Sequence, residues 1–212
     1  MALYTEIAAI RHMPLPISTS RRALKHTRSI QIDAFARDDG LWDLDAHITD
    51  TKTRDIQLAS GIRPVGSPLH DLSLRITIDT NLTIVDAMAV SDAVPYPGFC
   101  NTIGPDYKKL IGLNLMMQFR QGVKERMSGI NGCTHITELA QILPTAAVQA
   151  FAGDVIDTRD GASSSDRTSD NQQQPFQLNR CHALRLDGPA VVQYYPRWAV
   201  ASSSPPDAKS SA

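Results

Sequence analysis

Two pairs of alternating apolar runs, each folded about a turn, commit this chain to an antiparallel sheet. Ile30, Ile32, Ala34 and Ala36 alternate with polar residues, Asp38-Asp39-Gly40 supplies hairpin-turn chemistry, and Trp42, Leu44, Ala46 and Ile48 alternate again. Successive strand side chains point to opposite faces, so the returning run carries Asp43, Asp45 and His47 opposite its apolar set. Leu72, Leu74, Ile76 and Ile78 repeat the pattern as far as a turn at Thr80-Asn81, and Ile84 to Val90 forms the return. Four strands of this kind predict one sheet with one covered face.

The period changes after the strands. Between Asp106 and Met127, the residues Tyr107, Leu110, Ile111, Leu113, Leu115, Met117 and Val123 are spaced more like a helix. A further helix is expected to begin near Thr134, its N-cap, and to run through Leu139, Ile142 and Leu143. Pro144 predicts a break or restart before Thr145 to Phe151. Strands followed by helices give an α+β class, with helices packed on one face of a sheet of two hairpins. The chain divides into a lead-in (1–24), an α+β core (25–153), a polar low-complexity insert read as flexible (154–176), C-terminal strands returning to the core (177–199) and a disordered tail (200–212).

The bulk numbers exclude more than they assign. Of 212 residues, 42% are hydrophobic, enough for a core, and the net charge of -1 favours neither nucleic acid nor a membrane surface. Ile7 to Ile32 carries Arg11, Arg21, Arg22, Lys25 and Arg28 without an acid, the charge balance of a transit peptide or a nucleic-acid arm, but also of a solvated lead-in. The lead-in is the simpler expectation. No uninterrupted apolar run is long enough to predict a transmembrane helix. Three cysteines, Cys100, Cys133 and Cys181, are too few for a disulfide framework, so reduced thiols in a cytoplasm are expected. A homo-oligomer is compatible with all of this, and the sequence identifies no partner.

Metal-ligating residue types stand at the joints between elements. His70-Asp71 opens a strand, Cys100 closes a loop, Cys133 and His135 open a helix, and Cys181-His182 opens the last strand-like stretch. Thiolate and imidazole suit zinc or iron, and loops at one end of a sheet can bring distant ligands to one ion. We therefore expect a single zinc or iron held by His70, Cys100, Cys133 and His135, with Asp71 as a ligand or as the group that orients one. Cys181 and His182 are reserves. Taken singly, each also has a plain structural use, as a strand-end hydrogen bonder or a buried thiol, and no zinc-finger spacing is present.

Other groupings say less. Asp38, Asp39, Asp43 and Asp45 read as the wet side of a hairpin rather than a cation site. The glycine-rich loops lack the Lys-Ser/Thr of a P-loop, and no serine sits in a nucleophile elbow. His26 and His47 are available as bases, without an identified partner. Trp42, Tyr96, Phe99 and Trp198 are available to line an organic pocket or a core.

The segments KHTRSIQIDAFARDDGLWDLDAHITDTK, PLHDLSLRITID, GFC, NGCTHITEL and RCHAL with the later YPRW resemble the bacterial family known as domain of unknown function 2889, from Lys25 to Trp198. That likeness implies no activity. The order of HDLSLRITIDTNLTIVDAMAV, Cys100, a helix, Cys133-Thr134-His135 and ITELAQILPTAAVQA is also similar, more distantly, to iron-sulfur cluster scaffolds of the IscU and NifU type, over roughly Leu69 to Ala150. This likeness implies a scaffold-like fold, with His70 or Asp71 in the first ligand region, Cys100 in the second, and Cys133 with His135 in the third. His70 stands where the scaffolds have cysteine, and the thiol-imidazole order is reversed around Thr134. Such a set suits one zinc or iron ion better than a cluster. The functions to weigh are a cytoplasmic metal-binding protein, a metal-dependent enzyme on a small organic substrate, and a protein that delivers or scaffolds sulfur or iron-sulfur clusters.

Overall fold

A computed structural model describes residues 15–156 and 174–201. Both predicted hairpins form. β1 (His26–Ala36) pairs with β2 (Trp42–Lys52), and two three-residue strands, β3 (Ile56–Leu58) and β4 (Gly61–Arg63), make a small separate hairpin after it. β5 (Pro68–Ile78) then pairs with β2 and with β6 (Ile84–Ala93). The main sheet is antiparallel throughout, in the order β1-β2-β5-β6. Gly40 closes the first hairpin with φ at +81°, a conformation that favours glycine.

Register decides the faces. Leu44, Ala46 and Ile48 of β2 and Leu72, Leu74, Ile76 and Ile78 of β5 are fully buried on one side of the sheet. Each leucine or isoleucine among them contributes about 1.5–3 kcal/mol relative to an exposed one. The opposite side is the wet one: Arg75 forks onto Asp45, and Thr77 donates to Asp43.

The covering layer corrects the expected helix between Asp106 and Met127. A 3-10 helix (Cys100–Leu110) lies along β6, an irregular stretch with left-handed Gly112 and Gln118 follows, and only then comes α1 (Phe119–Met127). Close approach at Gly104 explains the fit against β6, because a Cβ there would stand 2.6 Å from the backbone oxygen of Ala89. The apolar residues spaced like one helix serve two elements and a loop, and Leu115 is buried from that loop.

α2 (Thr134–Phe151) crosses β1, β2 and β5 as one continuous helix. Ile136, Leu139, Ala140, Leu143, Ala147 and Phe151 form its buried stripe. Pro144 lies beside that stripe and does not break it. Packing of six buried side chains outweighs the missing hydrogen bond and ring clash, which cost about 3 kcal/mol in a helix interior. Cys133, not Thr134, takes the N-cap position, and no side chain caps the helix.

The expected C-terminal strands are absent among the described residues. The turn at Asp187-Gly188 leads instead into α3 (Pro189–Tyr194), with proline at its start, and a 3-10 turn (Pro196–Trp198). The lead-in before residue 15, most of the insert (157–173) and the tail beyond residue 201 lie outside the described residues. The class is α+β with an antiparallel sheet.

Candidate metal centre

At one end of the covered face the sheet turns from apolar to polar. The inward positions of β2 read Leu44, Ala46, Ile48, Asp50, and Asp50 is only 2% exposed. Its partners across the register are Arg28 of β1 and His70 of β5, which therefore point to the same side. His26, two residues before Arg28, shares that side. α2 begins over this end and lowers His135 onto it.

Asp50 is the hub. Arg28 forks onto it, Nε to Oδ1 and Nη2 to Oδ2, both at 2.9 Å, while His26 Nε2 donates to Oδ1 at 2.8 Å. His70 Nδ1 donates to Oδ2 at 3.0 Å, and His135 Nε2 lies 3.9 Å from the same oxygen. The rings of His70 and His135 stack with centroids 3.7 Å apart. Arg28 also reaches Glu138 of α2 at 2.6 Å, tying the first strand to the helix above it.

Charge follows from this packing. Burial alone would push the Asp50 carboxyl up, but Arg28 and His26 more than offset it and hold the carboxyl well below the usual carboxylate range. Burial, reinforced by the charge of His135, pushes the His70 imidazole down. Burial, then the Arg28 guanidinium, does the same to His135. The outcome is one ionised carboxylate facing two neutral imidazoles.

The ligand-bearing atoms of Asp50, His70 and His135 all lie within 4.8 Å of one another. Ligands bound at 2.0–2.2 Å to a tetrahedral ion stand about 3.3 Å apart, and the 3.0 and 3.9 Å from Asp50 Oδ2 to the two imidazole nitrogens bracket that spacing. His70 meets such an ion through Nδ1 once its proton occupies Nε2, with no change in net charge. The Arg28 donors fit around the carboxylate, because each oxygen has a second lone pair.

Of the residues singled out in the sequence, His70 and His135 converge. Cys133 stands beside them, its sulfur 3.9 Å from His135 Nδ1, but outside the group that meets. Cys100 begins the 3-10 helix and packs against the core, also outside that group. Asp71 lies on the opposite face of the sheet from His70 and accepts a hydrogen bond from His47 at 2.6 Å. Cys181 is exposed, and Cys181-His182 lies in a stretch without strand or helix. The aromatic residues do not gather: Trp42 packs on Phe151 at the far end of β2, while Phe99 is 80% exposed.

Asp50, Arg28 and the placement of His26 were missed. A signal was there, because Asp50 continues the inward parity of Leu44, Ala46 and Ile48, a position that rarely takes a carboxylate without partners.

Residues 26–149, more than half of the chain, match the family described as "Protein of unknown function (DUF2889)". No curated protein matches. No solved structure matches either. No helix among the described residues is long and apolar enough to cross a membrane.

Proposed function

The chain belongs to the DUF2889 family, which brings no activity with it, and from its geometry we propose that it is a metal-binding protein holding one zinc or iron ion through Asp50, His70 and His135. The observation that carries this is the convergence of two neutral imidazoles, from β5 and α2, on one buried ionised carboxylate. Two histidines and a carboxylate are a donor set used by zinc and by non-haem iron(II). Arg28 and His26 orient the carboxylate as outer partners.

Three protein ligands favour an enzyme over a structural centre, because a structural zinc site is closed by four. An ion held in this way supplies Lewis acidity or a bound water of lowered pKa. The protein side of that chemistry is to keep both imidazoles neutral and Asp50 ionised at neutral pH. The iron-sulfur scaffold alternative is less well supported, since Cys100 and Cys133 stand outside the converging set.

The test is elemental analysis of protein purified without added metal, followed by titration with zinc and iron(II). We expect about one ion per chain in the wild type and none in a His70→Ala, His135→Ala double variant. A folded wild type that rejects both metals overturns the proposal.

A further inference from the structure

Used as a ligand, His135 would bind through Nε2, the nitrogen facing Asp50. Its Nδ1 is then the outer nitrogen, and a metal-bound imidazole needs an acceptor there to fix its tautomer and ring orientation. The sulfur of Cys133 lies 3.9 Å from that Nδ1, within reach of a sulfur hydrogen bond. We propose that Cys133 is a positioning residue of the centre: it accepts the Nδ1 proton of His135 and stays out of the metal's coordination shell. This rests on the metal-centre reading above.

Ring geometry separates the two roles. The nitrogens of an imidazole point away from each other, so a sulfur facing Nδ1 lies on the far side of the ring from an ion at Nε2. The ring of His135 is thus held on three sides, by His70 stacked on one face, Asp50 beyond one edge and Cys133 beyond the other.

The backbone that carries the sulfur is itself held in place. Fully buried Tyr107, from the 3-10 helix, accepts the Cys133 N–H at 3.1 Å, and its hydroxyl lies 2.9 Å from both the Cys133 carbonyl and Thr137 Oγ1. Gly132 keeps this turn tight, because a Cβ there would stand 2.5 Å from the backbone oxygen of Met127. A backbone pinned at both its N–H and its C=O fixes Cβ and so limits Sγ to the staggered positions about one bond.

The experiment uses the full chain as wild type, Cys133→Ala and Cys133→Ser. Zinc affinity is measured by competition with a chromophoric chelator, and cobalt(II) is read by absorption. We expect no sulfur-to-cobalt charge-transfer band in the wild type and about 10- to 100-fold weaker zinc binding in Cys133→Ala, the range for lost outer partners. Cys133→Ser should lose less than Cys133→Ala, because a hydroxyl oxygen accepts the same proton although its shorter bond to Cβ sets it farther from Nδ1 than the sulfur. A charge-transfer band that vanishes in Cys133→Ala makes the cysteine a ligand and overturns the proposal. Wild-type affinity in Cys133→Ala, or equal losses in both variants, also overturns it. A folded wild type that binds neither zinc nor cobalt fails at the centre itself, a different result from failure at Cys133 alone.

Discussion

The imidazoles of His70 and His135 stack with their centroids 3.7 Å apart and their planes tilted by 32°, one delivered by a strand and the other by the helix that covers it. Two cations at that distance repel, so the arrangement belongs to the neutral rings. Both imidazoles are indeed held below their ordinary value, chiefly by burial.

That sets a pH dependence of stability. Between the lowered folded values and the unfolded value of about 6.5, the unfolded chain binds more protons, so stability rises with pH. The contribution is full above about pH 6.5 and is lost as the pH falls through the folded values. Asp50, also lowered, adds a loss of the same sign in more acidic solution. Urea midpoints of metal-free protein should decline from about pH 6.5 downward, and less steeply in a His70→Gln, His135→Gln variant. Equal slopes in the two proteins would count against neutral rings in the native state.

Removing the charge of Asp50 tests the hub. Asp50→Asn keeps the shape but leaves Arg28 and His26 facing a neutral amide. Breaking a buried pair costs about 3–5 kcal/mol, but Arg28 and His26 are about one-third exposed, at 31% and 36%. Solvent reduces the loss, and about 2–3 kcal/mol is expected from urea denaturation. A change within about 0.5 kcal/mol would show that the cluster adds nothing to stability.

Tyr107→Phe removes the clamp on the start of α2. The Cys133 N–H and Thr137 lose a buried partner, at a cost of about 1–2 kcal/mol. Zinc affinity should fall with it, because Cys133 and His135 leave the same turn. Lost stability with unchanged affinity would uncouple the clamp from the centre.

Gly104→Ala tests the seat of the 3-10 helix. The Ala89 oxygen that a Cβ would meet belongs to the backbone and cannot swing aside as a side chain would. Overpacking of this kind costs about 1–3 kcal/mol, read as a lower thermal midpoint with the 3-10 helix displaced from β6. An unchanged midpoint would mean that the helix has room to move.

The sheet was legible because alternation and the Asp38-Asp39-Gly40 turn are local signals, and the structure places both hairpins where they fall. The region from Asp106 to Met127 was not legible, because helical spacing of apolar residues does not reveal that Gly112 and Gln118 divide them. Pro144 misled in the opposite sense: its local cost is real, but the buried stripe of α2 outweighs it. Within the site, His70 and His135 stood out as residue types at element ends, and Asp71 with them through its place beside His70, while Asp50 drew no reading. Strand parity separates the two acids. Asp71 is one residue from His70 and so faces the other way, whereas Asp50 lies directly across the register from it. That pairing depends on how β2 meets β5, which no single segment encodes.

X-ray absorption at the zinc edge of zinc-loaded wild-type protein tests the metal centre most directly. Asp50, His70 and His135 as ligands predict a first shell of nitrogen and oxygen at about 2.0–2.2 Å with two imidazole scattering patterns, and no sulfur. A sulfur shell at about 2.3 Å, or zinc that washes out before it can be measured, would contradict it.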